Sequence, residues 1–187
     1  MNESIGFIGV GFMGEGMGHN LLKKGFALTV MAHRNREPVE RLLTAGASEA
    51  NNVKEMAQNC SVIFLCVTGS PQVEAIVLGT DGILANAKPG TVIIDCSTSD
   101  PVSTGKLDAA ARAVGMHLVD APLGGTPKEA ATGNLSAMVG ADDAVFERVQ
   151  PIIAAWAANI SHLGKVGLGH TMKLVNNFLS MGYAALY

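Results

Sequence analysis

Several things are scarce in this 187-residue sequence, and each scarcity excludes a class of protein. There are three cysteines, Cys60, Cys66 and Cys96, with no C-x-x-C spacing, and five histidines with no metal-ligand spacing. That leaves no basis for a disulfide scaffold or a zinc site, and the odd, scattered thiols read as reduced core residues of a cytoplasmic protein. Charged residues make up 16% of the chain and the formal net charge is −3. No positive excess exists to attract nucleic acid or an anionic membrane. No basic-then-apolar leader opens the sequence, and its apolar runs are strand-sized, so neither a signal peptide nor a membrane span is expected. Internal repeats, linkers and low-complexity tracts are likewise missing.

What remains is regular alternation. Ser4 to Ile8 is an apolar run that ends at Gly9, a helical stretch reaches Lys24 and closes at Gly25, and Phe26 to Ala32 is a second apolar run. Glu37 to Ala45 and Val53 to Gln58 follow as helices, the first with Pro38 in its opening turn and Gly46 beyond its end. Val62 to Val67 and Thr91 to Asp95 are continuous apolar runs suited to strands buried on both faces. Ser70 to Val77 and Pro101 to about Val114 are helices, with Ser99 or Asp100 as N-cap for the second. His117 to Asp120, Ser136 to Val139 and Ile160 to Leu163 read as shorter strands, Asp143 to Ala158 as one amphipathic helix, and Met172 to Tyr187 as a final apolar helix with no breaker. The pattern predicts an α/β fold with a doubly wound, mostly parallel sheet.

Four stretches carry the chemistry. Gly9-Val10-Gly11-Phe12-Met13-Gly14 has the G-x-G-x-x-G spacing between a strand and a helix. There the first glycine permits the turn, the second lets a pyrophosphate reach the backbone, and the third lets helix and strand pack closely. The helix N-terminus adds free N–H groups and partial positive charge. At the end of the second strand, Ala32-His33-Arg34-Asn35-Arg36 has no acid before Glu37 to hold a ribose 2′-hydroxyl. Two guanidinium groups stand there instead, which favours NADP and leaves NAD possible. Val67-Thr68 and Cys96-Ser97-Thr98 end two buried strands, where ligands bind in open α/β sheets.

The third stretch is Leu123-Gly124-Gly125-Thr126-Pro127-Lys128-Glu129. Thr126, Pro127 and Glu129 form a capping box, while the two glycines expose amides able to hold a small anion. The fourth is Gly169-His170-Thr171-Met172-Lys173-Leu174-Val175-Asn176-Asn177. On a helix Lys173 and Asn177 share a face, flanked by apolar residues, and a partly buried lysine there is poised for proton transfer.

Together these motifs resemble, in order along the whole chain, the β-hydroxyacid dehydrogenase family. That family includes 3-hydroxyisobutyrate dehydrogenase, tartronate semialdehyde reductase and, more distantly, 6-phosphogluconate dehydrogenase. The resemblance implies a Rossmann-type NADP-binding domain over residues 1–163 and the first part of a long interdomain helix over 164–187. It further implies that the family's all-α domain, which closes the site and pairs subunits into a homo-oligomer, is missing from this sequence. Gly9, Gly11, Phe12, Met13, Gly14, His33, Arg34, Asn35, Arg36, Val67, Thr68 and Thr98 would bind the cofactor. Lys173 would be the general acid/base, and Gly124, Gly125, Thr126 and Asn177 would bind a small hydroxy acid or aldehyde. Gly124, Gly125 and Thr126 stand where the family usually has Ser-Gly-Gly, and Gly16 where proline is common. A 6-phosphogluconate-type oxidative decarboxylase and a non-catalytic NADP-binding module are the alternatives.

Overall fold

The computed structural model describes residues 3–186. Met1, Asn2 and Tyr187, and with them the outer ends of both expected domain ranges and of the last expected helix, lie outside the described residues. The chain runs through β1 (Ser4–Ile8), α1 (Gly14–Lys23), β2 (Ala27–Met31), α2 (Glu37–Thr44), β3 (Ser48–Glu49) and α3 (Val53–Asn59). It continues through β4 (Val62–Leu65), α4 (Ser70–Leu78), α5 (Ile83–Asn86), β5 (Val92–Asp95), α6 (Pro101–Ala113) and β6 (His117–Asp120). It finishes with β7 (Leu123–Gly124), α7 (Pro127–Thr132), β8 (Leu135–Val139), α8 (Asp143–Ile153), β9 (Ala157–His162) and α9 (Leu168–Leu186).

The first six strands form one sheet in the order β3-β2-β1-β4-β5-β6, parallel throughout. The order reverses direction between β1 and β4, so a crevice opens beyond the carboxyl ends of those two strands, where open α/β sheets bind ligands. The continuous apolar runs alternate between two cores. Ile5, Phe7, Val62, Phe64, Val92 and Ile94 face one side, and Ile8, Ile63, Leu65, Ile93 and Leu118 the other. Phe7 stacks on Phe64 at 5.5 Å, and the fully buried Trp156 meets Phe64 edge-on at 6.1 Å. All three cysteines are free; Cys60 and Cys96 are buried in the core, and Cys66 is partly buried at its edge, where burial pushes the thiol up to about 12.

The last third departs from the expected pattern. Strands β7, β8 and β9 form a separate sheet in which β7 is antiparallel to β8 and β8 parallel to β9. The helix expected through Ala158 stops at Ile153, and the strand expected from Ile160 begins at Ala157. Alanine-rich residues 154–158 have good helix propensity, but pairing with β8 and burial of Trp156 outweigh it. A bridge between Asp120 and Gly140 stitches this small sheet to β6.

Capping follows the sequence closely. Asp100 is the N-cap of α6, accepting from the Val102 amide at 2.9 Å. Ser99 points inward and donates to Asp95 Oδ2 at 2.7 Å. The capping box of α7 is present, with the Thr126 amide donating to Glu129 Oε2 at 2.6 Å. Asp100→Ala should lower unfolding free energy by about 1 kcal/mol, read from the urea midpoint at constant slope. Helix α9 starts at Leu168, a turn before the expected Met172. Beyond its first turns it leaves Phe178, Leu179, Met181 and Leu186 exposed, Phe178 by 77%. Among the described residues no helix is long and apolar enough to cross a membrane.

Candidate active site

In the glycine turn between β1 and α1 the three glycines have different surroundings, and the fold itself requires two of them. Gly9 has φ +97°, and a Cβ there would lie 2.2 Å from the Cys66 carbonyl oxygen. A Cβ on Gly14 would lie 2.3 Å from the Gly9 carbonyl oxygen, so this glycine lets α1 close onto the turn. Gly11 differs: a Cβ there would meet nothing within 4 Å, and the neighbouring Phe12 side chain is 91% exposed. The backbone at Gly11 thus borders open space at the N-terminus of α1, which no side chain caps. Unfilled room, bare backbone and uncapped amides fit a pyrophosphate.

At the end of β2, His33 and Arg34 are exposed, and Arg34 makes no ion pair among the described residues. Asn35 caps the next turn, its Oδ1 accepting from the Glu37 amide at 3.1 Å. Arg36 is engaged: its two terminal nitrogens donate to both carboxylate oxygens of Glu49 on β3 at 3.0 and 3.1 Å. The acid that sequence inspection does not find beside the arginines is thus supplied from the edge strand, 13 residues further on.

The two hydroxyl-bearing loops beyond β4 and β5 lie side by side. The Val67 amide donates to Ser97 Oγ at 3.0 Å, and the Asp100 amide to Ser70 Oγ at 2.7 Å. Thr98, between them, is exposed, as is Thr68.

Helix α9 brings Lys173 to this region. Its first turn is wedged between β6 and β8, where a Cβ on Gly169 would lie 2.3 Å from the Met138 carbonyl oxygen and 2.8 Å from that of Asp120. Fully buried Asp120 accepts from the Gly167 amide through Oδ1 and from the His170 amide through Oδ2, both at 2.7 Å. Burial raises the Asp120 carboxyl and those two amides work against it. One turn on, the half-buried Lys173 donates from Nζ to the Leu123 carbonyl at 2.7 Å. Burial holds its ammonium below the ordinary lysine value, and no carboxylate pairs with it among the described residues. Gly124 follows Leu123 in β7, paired with Ser136, while Gly125 is exposed with φ +125°. Thr126 is occupied in its capping box, and Asn177 lies one turn beyond Lys173, half-buried. The structure therefore joins Lys173 to the Leu123 carbonyl, the residue before Gly124, and among the described residues records no hydrogen bond from Asn177 to that segment.

Sequence inspection missed the buried polar group under Lys173: Asp95, Ser97, Thr104, Asp120 and His170. The signal available was an aspartate closing each of two apolar runs, Ile93 to Asp95 and Leu118 to Asp120, where a carboxylate ends a strand and faces the carboxyl edge of the sheet.

A six-stranded parallel sheet with an open glycine turn at its reversal point defines a dinucleotide-binding domain. The description "NAD binding domain of 6-phosphogluconate dehydrogenase" matches residues 4–164, and the chain belongs to that family. It is 40% identical over 177 residues to the NAD-dependent L-serine dehydrogenase of Pseudomonas aeruginosa, covering 95% of this chain and 59% of that protein. It is 41% identical over 176 residues to the 2-(hydroxymethyl)glutarate dehydrogenase of Eubacterium barkeri, covering 94% and 58%. Among solved structures, the Mycobacterium tuberculosis 3-hydroxyisobutyrate dehydrogenase with L-serine superposes with TM-score 0.88 at 30% identity, covering 96% of this chain and 60% of that one. The chain spans about three-fifths of the length of the curated relatives it matches.

Proposed function

We propose that this chain is the NADP-binding portion of a β-hydroxyacid dehydrogenase or reductase, with Lys173 as its general acid/base. Residues 1–163 would form the nucleotide domain and 164–187 the start of the interdomain helix. The observation that carries the proposal is the half-buried Lys173 ammonium, without a carboxylate partner among the described residues and bonded to the Leu123 carbonyl just before Gly124-Gly125, on a helix whose His170 reaches the Ser97 carbonyl. Gly9, Gly11, Phe12, Met13 and Gly14 would hold the pyrophosphate, and Val67, Thr68 and Thr98 the nicotinamide end. The bound nicotinamide supplies or accepts the hydride. In reduction Lys173 gives its proton to the carbonyl oxygen of the substrate, leaving a hydroxyl; in oxidation the free amine takes that proton. The Gly125 amide, with Gly124 and Asn177, would hold a carboxylate and orient the reacting carbon.

The substrate class would be small 3-hydroxy acids and the matching semialdehydes or ketones. The full-length protein assayed with NADP and NAD against a panel of 3-hydroxy acids, L-serine and 3-hydroxyisobutyrate among them, tests this. Hydride transfer with at least one member supports the proposal; none with any member, despite bound nucleotide, defeats it.

Cofactor preference is proposed to rest on Arg34, because Arg36 would have to leave Glu49 to take part. Arg34→Asp places an anion where a 2′-phosphate would sit, and should shift the NADP/NAD affinity ratio toward NAD by roughly tenfold or more. Titration of both nucleotides reads the ratio directly; a ratio equal to the parent's would remove Arg34 from the site.

A further inference from the structure

His170 has no part in the proton and hydride chemistry, yet its side chain is completely buried and bonded at both ring nitrogens. Nε2 lies 3.1 Å from the Ser97 carbonyl oxygen, which can only accept, so Nε2 carries a hydrogen and donates. Nδ1 lies 2.8 Å from Thr104 Oγ1 on α6. The carboxylates facing the ring, Asp95 from β5 and Asp120 from β6, stand further off at 3.7 and 3.8 Å. Their oxygens are taken up elsewhere, those of Asp95 by the Ser97 amide and the Ser99 hydroxyl, those of Asp120 by the Gly167 and His170 amides. The ring's directional bonds therefore go to the Ser97 carbonyl and to α6.

Ser97 is also tied the other way, its Oγ accepting from the Val67 amide. One continuous set of hydrogen bonds thus runs from the loop beyond β4, through Ser97 in the loop beyond β5, to His170. Three residues on, less than one helical turn along α9, stands Lys173. In the first turns of α9, among the described residues, no other side chain hydrogen-bonds to the Ser97 loop: Asp120 holds the backbone, and Lys173 itself reaches toward β7.

We propose that His170 is a positioning residue, which sets the distance between the Lys173 ammonium and the Ser97–Thr98 loop by pinning the first turn of α9 to the Ser97 carbonyl. The proposal rests on the function assigned above to Lys173 for its kinetic consequence, and on geometry alone for its structural one. Misplacement of a reacting group by about 1 Å costs on the order of a hundredfold in rate. A helix released from Ser97 but still capped by Asp120 loses part of that.

Two near-isosteric variants separate position from simple stability. His170→Gln places an amide N–H near the Nε2 site and keeps the donor to Ser97. His170→Asn reaches only the Nδ1 site and loses it. In the full-length protein, His170→Asn should show kcat lowered about tenfold or more with the nucleotide dissociation constant within about threefold of the parent, while His170→Gln stays within about threefold in both. Thermal midpoints of the two variants are compared, so that the kcat ratio is read between proteins of equal stability.

A second measurement does not depend on turnover. With lysines reductively dimethylated using ¹³C-formaldehyde, and the Lys173 signal assigned by its loss in Lys173→Ala, saturating NADP⁺ should shift that signal in the parent and in His170→Gln. It should leave the signal nearly unshifted in His170→Asn. Equal kcat in the Asn and Gln variants, or equal NADP⁺-induced shifts in both, overturns the proposal. If Lys173→Ala instead turns over like the parent, the acid/base role of Lys173 falls, and the NMR comparison alone decides the role of His170.

Discussion

Lys173→Ala in the full-length protein is expected to lower turnover about 10²- to 10⁴-fold and to leave nucleotide affinity within about threefold. The asymmetry follows from location. The side chain bonds to the Leu123 carbonyl in the second sheet, whereas the glycine turn that would carry most nucleotide contacts is built by β1 and α1. Half-burial, with no carboxylate partner among the described residues, disfavours the charged form, so the amine loses its proton below the ordinary value of 10.5. The pH profile gives the sign. Oxidation of the hydroxy acid needs the free amine and should rise as pH climbs through the lowered lysine pKa. Reduction needs the ammonium and should fall across the same range. That limb should vanish in Lys173→Ala. The folded state, binding fewer protons at this site than the unfolded chain does, should gain stability with rising pH between the lowered value and 10.5. A limb unchanged in the alanine variant would assign the proton transfer to another group.

Much of this site could be read from residue order because local chemistry and tertiary position agree there. Gly9, Gly11 and Gly14 stand between an apolar run and a helix, and the turn they form is the one their spacing predicts. Asp100 and the Thr126–Glu129 capping box close helices where capping chemistry places them. The buried strands β4 and β5 were legible because strands covered on both faces have no polar alternation to confuse with a helix. The second sheet was legible only in part. Ser136 to Val139 and Ile160 to Leu163 read as strands, but β7, the early start of β9 and their separation from the main sheet were hidden, for the opposite reason. β7 is two residues long, and β9 has the burial pattern of a strand mostly facing solvent, preceded by alanines that favour helix. Its existence depends on β8 lying alongside, which no local window contains. The charge pairing at the end of β2 was hidden in the same way. Glu49 belongs to a two-residue edge strand, and only register, with Val30 opposite Glu49, brings its carboxylate to Arg36. The buried cluster around His170 joins residues 95, 97, 104, 120 and 170, and a lone histidine in an apolar helix gives no sign of such partners.

Gly169→Ala carries the second large expected effect, and its sign runs against helix propensity. Inside an ordinary helix, replacing glycine by alanine stabilises by up to about 1 kcal/mol. Gly169 lies in the first turn of α9, has no positive φ, and by that measure alone should welcome alanine. Packing reverses the outcome. The added methyl would stand 2.3 Å from the Met138 carbonyl oxygen and 2.8 Å from both the Asp120 carbonyl and Asp120 Oδ2. The nearest two groups are backbone of β6 and β8, which cannot swing aside as a side chain end can. Overpacking of this kind costs typically about 1–3 kcal/mol, at least as much as the propensity gain of up to about 1 kcal/mol, so a net loss of up to about 2 kcal/mol in unfolding free energy is expected from the difference. The alternative to strain is displacement. If α9 lifts from the two strands by about 1 Å, Lys173 leaves its place beside Leu123, and turnover should fall on the order of a hundredfold. Nucleotide binding should persist, because the Gly9 to Gly14 turn is built by β1 and α1 and not by α9. Chemical denaturation together with kcat measurement checks both halves. An alanine variant as stable and as active as the parent would mean that α9 is not wedged against β6 and β8 in solution, and the fixed position of Lys173 would go with it.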